Sequence, residues 1–135
     1  MYFHYSQIAK GVWDKDDAVV FELDSLPFDP RKRHDVSVEI TTNNEYPYRN
    51  LRLLISQNLQ DSVPRTDTLD VELADSYGKW RGSGVGGLHQ LSVPYLKSVH
   101  LDSTKIYRLL VWQGMRDKSL KGFEKMGIKI TEAER

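Results

Sequence analysis

The sequence predicts an all-β fold: an antiparallel β-sandwich of seven to nine strands with immunoglobulin-like or jelly-roll topology. Apolar residues alternate with polar residues through most of the chain, which is typical of strands that bury one face. Glycine, proline and asparagine separate the alternating segments, as turn residues do. No amphipathic segment is long enough to cover a sheet with a helix, so two sheets must cover each other.

The clearest predicted strand is Asp35–Thr42, in which Val36, Val38 and Ile40 alternate with polar neighbours. Weaker or shorter alternation predicts six more strands, and Tyr2–Tyr5 adds an eighth if it pairs at a sheet edge. These six are Val19–Leu23, Leu51–Leu59, Thr68–Ala74, Leu88–Tyr95, Lys105–Gln113 and Met126–Thr131. The predicted core consists of Val36, Val38, Ile40, Leu53, Ile55, Leu69, Val71, Leu73, Leu110, Trp112, Ile128 and Ile130.

One segment, Met115–Lys125, breaks the alternation. Met115, Leu120 and Phe123 could lie on one side of a short helical turn that ends at Gly122. No repeat or linker divides the chain, so residues 1–135 are predicted to form a single domain.

Length, charge and cysteine content exclude several classes of function. The 135 residues include 19 Lys or Arg and 19 Asp or Glu, and this balance argues against nucleic-acid binding, which needs a concentrated positive surplus. The sequence contains no cysteine, which excludes thiolate zinc sites, iron–sulfur clusters and cysteine nucleophiles within it. At this length one hydrophobic core suffices without disulfides or a structural metal.

The N-terminus predicts that this is the mature part of a longer protein. Tyr2-Phe3-His4-Tyr5 follows Met1 directly, as if an initiator methionine preceded a trimmed domain. An export signal or a lipid anchor would therefore lie outside these residues. No window of about 18 apolar residues predicts a membrane span.

No motif predicts a catalytic, metal or cofactor site. Gly82, Gly84 and Gly87 have the spacing of a dinucleotide-binding loop, but a strand-like segment follows them where that loop needs a helix. Gly82, Gly84 and Gly86 instead leave one face of an extended segment without side chains, where backbone or an aromatic ring such as Trp80 can pack. The four histidines lack metal-ligand spacing, and His89 is predicted to be a hydrogen-bonded core or edge residue.

The residues predicted to bind a partner are aromatic and charged side chains near turns. Tyr and Trp combine a large rigid surface with a polar tip, so they either form a recognition platform or close the ends of the core. Arg116 and Asp117 either bind a partner or form a charge pair that holds their loop. The predicted partner-binding residues are Tyr46, Tyr48, Trp80, Arg116 and Asp117.

Four short sequence motifs resemble those of the gliding-motility lipoprotein family known as GldH. They are Tyr46-Pro47-Tyr48-x-Asn50-Leu51, Thr66-Asp67-Thr68-Leu69, Leu73-Ala74-Asp75-x-x-Gly78-x-Trp80-x-Gly82-x-Gly84-x-Gly86 and Gln113-x-Met115-Arg116-Asp117. The ends of the chain are also similar to that family, so the resemblance extends from about Phe3 to Glu132. Each motif alone is weak evidence for the family, but the order and spacing of all four make the resemblance specific.

The resemblance implies a lipoprotein of the Bacteroidota outer membrane, facing the periplasm and acylated on an N-terminal cysteine. It implies association with gliding motility and type IX secretion, with other envelope or motility proteins as partners, and neither enzyme activity nor a cofactor. The family's signal peptide and lipobox cysteine are not among these residues.

The alternative function is a carbohydrate-binding module of the cell envelope, because small sandwiches with exposed aromatic rings often bind sugars. A planar row of two or three accessible rings from Trp13, Tyr46, Tyr48 and Trp80 would favour this alternative, and burial of those rings would favour a structural role.

Overall fold

The structure, a computed structural model, describes residues 2–24, 27–60 and 63–133, except the side chain of Val85. A single 3₁₀ turn, Ala9–Gly11, accompanies the strands in these residues. The eleven strands are β1 (Tyr2–Gln7), β2 (Val12–Asp14), β3 (Val19–Leu23), β4 (Arg33–Asn43), β5 (Asn50–Gln57), β6 (Arg65–Glu72), β7 (Ser83–Val85), β8 (Leu88–His100), β9 (Tyr107–Gln113), β10 (Ser119–Lys121) and β11 (Phe123–Glu132).

The strands form two main antiparallel sheets and one small sheet. The first sheet has the order β1-β11-β4-β8-β7, and the second has the order β3-β9-β5-β6. Strands β10 and β2 pair separately, in register from Ser119–Asp14 to Lys121–Val12. The all-β prediction is confirmed, and the count exceeds nine because β2, β7 and β10 are extra strands of three residues each.

The pairing is nested, like a long hairpin folded over on itself. Strand β1 pairs with β11, β2 with β10, β3 with β9, β4 with β8 and β5 with β6. The long pairs fall alternately in the first and second sheets, which is the strand order of a jelly roll. Of the two topologies predicted, the jelly roll is therefore the one observed. Among the described residues no helix has the length and apolar character needed to cross a membrane.

The core lies between the inner faces of the two sheets. Predicted core residues on β4, β5 and β11 are buried, including Val38, Ile55 and Ile128 at 0% exposure. Trp13 and Phe123 close one end, with ring centroids 4.8 Å apart. Leu69 is only half-buried, because it lies on the edge strand β6 and contacts the core from one side.

The predicted phase of β9 is wrong. Leu109 and Val111 are fully buried, whereas the predicted core residues Leu110 and Trp112 lie on the other face and are half-buried. Four successive apolar residues make the alternation ambiguous in this strand. The inner face is completed by Tyr107, whose hydroxyl accepts a hydrogen bond from the Asp102 amide at 2.7 Å.

The helical alternative for Met115–Lys125 is also wrong. Leu120 and Phe123 are buried, but Leu120 belongs to strand β10 and Phe123 begins β11. Gly122 joins these strands with φ +76°, and a Cβ there would lie 2.1 Å from the Tyr46 backbone nitrogen. Pairing with β2 and this close approach favour strands and a tight turn over a helix.

The glycine-rich segment packs against backbone. A Cβ on Gly82 would lie 1.7 Å from the Gln90 carbonyl oxygen, so β7 can approach β8 only without a side chain there. Trp80 instead stacks on the His89 ring, with centroids 4.3 Å apart and planes 10° from parallel. His89 is half-buried and bonds Asn44 at 2.8 Å, as predicted for a hydrogen-bonded residue.

A polar contact also joins the two sheets. The Tyr95 hydroxyl on β8 donates to the Asp67 carboxylate on β6, at 2.6 Å. Burial would raise the pKa of Asp67, but hydrogen bonds from Tyr95 and Gln57 and the charge of Arg65 outweigh it and lower that pKa. Burial and the bond to Asp67 raise the pKa of Tyr95. The contact therefore keeps both groups in the protonation states that hold the sheets together at neutral pH.

Leu109→Ala and Leu110→Ala test the phase of β9. Leu109→Ala is expected to lower the free energy of unfolding by about 2–5 kcal/mol, because it leaves a cavity between the sheets. Leu110→Ala is expected to cost about 1 kcal/mol or less, because that side chain lies on the outer face. Denaturant unfolding measures both values, and equal costs would contradict the observed phase.

Candidate functional site

A cleft of about 330 Å³ lies at one end of the sandwich, between the β4–β5 connection and the β9–β10 loop. It brings together three residues predicted to bind a partner, Tyr48, Arg116 and Asp117. The cleft is lined by Tyr48, Asn50, Arg52, Gly114, Met115, Arg116 and Asp117.

Tyr46 supports the cleft from beneath. It is 5% exposed, and its hydroxyl donates to the Asn50 carbonyl at 2.7 Å. Its ring meets that of Tyr48 edge to face, with centroids 6.0 Å apart at 84°. Burial raises the pKa of Tyr46, which therefore stays a neutral hydrogen-bond donor. Tyr46 positions Tyr48 and is itself covered.

A hydrogen bond between Tyr48 and Asp117 joins the two sides of the cleft, the β4–β5 connection and the β9–β10 loop. The Tyr48 hydroxyl donates to an Asp117 carboxylate oxygen at 2.5 Å, across 69 positions of sequence. This hydrogen bond raises the pKa of Tyr48, and burial and the Asp117 charge add to the effect. Tyr48 is 36% exposed, so part of its ring remains available to a partner.

Arg116 does not form the predicted charge pair with Asp117. Asp117 accepts its bond from Tyr48, and none of the ion pairs in the described parts of the chain includes Arg116. Arg52, on the adjoining wall, is paired with Asp70 through contacts of 2.7 and 3.3 Å. The exposed guanidinium of Arg116 is thus available for a bond outside the domain.

Buried Gln113 fixes the loop that presents Arg116. Its amide nitrogen donates to the Asp117 carbonyl at 2.7 Å, and its amide oxygen accepts from the Met115 amide at 2.8 Å. Lys15 adds a third tie, from its ammonium to the Met115 carbonyl at 2.7 Å. Gln113 was not predicted as a functional residue, although a glutamine in phase with the inward Leu109 and Val111 of β9 is a usable signal.

Gln57 plays the same part at the opposite end of the neighbouring strand. It ends β5 as Gln113 ends β9, and each is 1% exposed. The oxygen of Gln57 accepts from the Leu59 amide at 2.7 Å, again two residues further on. Its nitrogen contacts Asp67 at 3.3 Å. A buried glutamine at the end of each of these central strands therefore anchors the loop that follows.

Trp80, the fifth predicted residue, lies outside the cleft in the β6–β7 connection, where it is half-buried against His89. Of the four rings considered for sugar stacking, Trp13 and Tyr46 are 2% and 5% exposed. No row of three accessible rings is therefore formed, and Trp80 does not line the cleft that contains Tyr48.

The residues with described structure contain no group of three or more His, Asp or Glu side chains placed to hold a metal ion. The cleft offers an exposed cation, a paired phenol and carboxylate, and the thioether of Met115.

Fold and cleft together define the class of this protein: a small jelly-roll module with a polar cleft at one end. The family comparison identifies it more closely. The model of the GldH lipoprotein family matches residues 1–130, and the chain belongs to that family.

Two relatives extend the comparison. The gliding motility lipoprotein GldH homolog of Christiangramia forsetii is 29% identical over 141 residues, covering 99% of this chain and 85% of the relative. The gliding motility lipoprotein GldH of Flavobacterium johnsoniae is 26% identical over 131 residues, covering 92% of this chain and 80% of the relative. Both names describe lipoproteins and neither names an enzyme activity.

Gln113→Ala tests the anchoring of the loop. We expect it to lower the free energy of unfolding by about 3 kcal/mol, because buried backbone groups lose their partners. Amide hydrogen exchange should show that Met115 loses protection. The matched variant Gln57→Ala should be similarly destabilised but keep Met115 protected, and equal protection of Met115 in both variants would contradict the anchor.

Asp117→Ala tests the bond across the cleft. The pKa of Tyr48 should fall toward about 10, because the acceptor and the negative charge are both removed. Since the folded-state pKa is raised, this contact's stability is fully present below about pH 10 and is lost as pH rises through that pKa. NMR titration of the ring carbons measures it, with Tyr2 as the internal control, because the pKa of Tyr2 is raised by burial and not by Asp117. An unchanged Tyr48 pKa would rule the bond out.

Proposed function

We propose that this protein is a non-catalytic, lipid-anchored component of the cell envelope that docks onto other motility or secretion proteins. Its site of action is the periplasmic face of the outer membrane, within the gliding and type IX secretion machinery. Membership of the GldH lipoprotein family supports the anchor and the association with motility. The cleft at the end of the sandwich supports docking.

The docking proposal rests on Arg116, which is exposed and takes part in none of the ion pairs in the described residues. A flexible surface arginine loses rotamer entropy when it binds, which weakens any contact it makes. Here the loop is already fixed by Gln113 and by the ammonium of Lys15, so its backbone is organised before a partner arrives. An acidic or carbonyl-rich segment of a partner protein would complete the hydrogen bonds of Arg116.

Because the chain has no net charge, a specific surface has to select the partner. With 19 basic and 19 acidic residues, the domain has no net charge to draw it to an anionic membrane or to a generally charged partner. A covalent lipid would fix its distance from the bilayer without selecting a partner. Because the sequence contains no cysteine, the acylated residue would lie outside these 135 residues.

Cross-linking in envelope membranes tests the proposal. The full-length acylated protein is expected to recover defined envelope proteins, and Arg116→Glu should strongly reduce that recovery by reversing the charge at the cleft. Arg108→Glu is the matched control, because Arg108 is also exposed but lies on β9 away from the cleft. Equal recovery by both variants would overturn docking through the cleft.

The anchor is tested separately by mass spectrometry of the mature protein. We expect an acyl group on an N-terminal cysteine and fractionation with the outer membrane. A mature protein without acylation, found in the soluble periplasmic fraction, would overturn the anchoring proposal while leaving docking to be judged by the cross-linking result.

A further inference from the structure

A buried carboxylate lies on the outer face of the first sheet, away from the cleft. Glu39 projects outward from β4, opposite to the inward Val38 and Ile40, yet it is only 7% exposed. Its neighbours in register are Gly127 on β11 and Ser92 on β8. A charged side chain on an outer face is normally solvated, so this burial needs an explanation.

The cover is supplied by Tyr5 and made possible by Gly127. A Cβ on Gly127 would lie 2.6 Å from Cδ1 of Tyr5, so only glycine lets the Tyr5 ring lie across β11 toward Glu39. The ammonium of Lys125 lies 4.5 Å from the centre of that ring. Burial and the nearby charge of Glu39 raise the pKa of Tyr5. The ring thus shields the carboxylate from water on one side.

The other side opens into a hollow of about 160 Å³. We call this the Glu39 hollow, lined at its rim by Tyr5, Ser83, Gln90 and Ser92. Within residues 2–24, 27–60 and 63–133, Oε2 of Glu39 has no hydrogen-bond partner. None of the ion pairs found in those ranges includes Glu39.

A buried carboxylate oxygen without a hydrogen-bond partner is costly, and a cationic hydrogen-bond donor is the group that offsets the cost most directly. A guanidinium fits better than an ammonium for three reasons. It is more weakly hydrated, it can donate to a carboxylate with two N–H groups at once, and its plane can stack on an aromatic ring. Gln90 and Ser92 offer oxygen acceptors for its remaining donors.

We propose that the Glu39 hollow is a binding site for an arginine side chain presented by a partner protein. Liquid water occupies about 30 Å³ per molecule, so the hollow holds a group several waters in size, such as the end of one side chain. The site shares no residue with the cleft, and it does not depend on the docking role of Arg116.

The test is an NMR titration of the protein with the peptide acetyl-Gly-Arg-Gly-amide. We expect saturable shifts of the Glu39 and Ser92 amides. The same peptide with citrulline, which has nearly the same shape without the charge, should produce none. Glu39→Gln should weaken binding by at least about tenfold, as expected when a charge-assisted pair is lost. Glu22→Gln, an exposed carboxylate on β3 of the other sheet, should leave binding unchanged.

Three results would overturn the proposal: no saturable shift, equal shifts with citrulline, or equal binding by Glu39→Gln and the parent. Thermal unfolding without peptide provides a second measurement. Because Glu39→Gln removes an uncompensated buried charge, it should raise the melting temperature of the free protein. A lowered melting temperature would show that Glu39 already has a partner within the chain, and would overturn the proposal.

Discussion

Burial of two sheet faces against each other is the constraint on which this structure depends. The chain has no cysteine to form a disulfide, and its described residues contain no cluster of metal-ligating side chains. Contacts between the sheets must therefore offset most of the entropy lost on folding. Nested pairing makes this burial possible, because alternate long pairs fall in opposite sheets. Loops that leave one sheet for another then gather at the ends of the sandwich, and the cleft lies between the β4–β5 connection and the β9–β10 loop.

Several buried polar side chains connect the core to a loop or connect the two sheets. Gln57 and Gln113 end central strands and anchor loops, and Tyr95 links the sheets through Asp67. Each is paired, as buried polar groups must be if they are not to destabilise the fold. Three buried side-chain atoms in the described residues have no partner: Oε2 of Glu39 on the outer face, Nδ1 of His34 and Oγ1 of Thr41.

The sequence predicted the parts of this structure in which local pattern and packing agree. Strand β4 shows unbroken alternation, and its inward residues are those expected. The phase of β9 was predicted wrongly because Leu109–Trp112 are all apolar and fit either face. The inward position of Gln113 goes with hydrogen bonds to the next loop, which the hydrophobic periodicity does not show. Arg116 and Asp117 are neighbours in sequence but do not pair, because the partner of Asp117 is Tyr48, which only the fold brings near. Tyr48, Arg116 and Asp117 could be predicted as cleft residues from their residue types, but the fold determines how they are arranged.

The pairing of the first strand with the last gives the domain a mechanical property. If the protein is tethered through its N-terminus, load reaches β1 before any other element. This six-residue edge strand is held by β11 and by contacts of Lys125 and Lys129 with the rings of Tyr5 and Phe3. Its inner neighbour β11 remains paired to β4. Under tension from that end β1 would be the first strand to detach, and the β11–β4 pairing behind it would have to break separately.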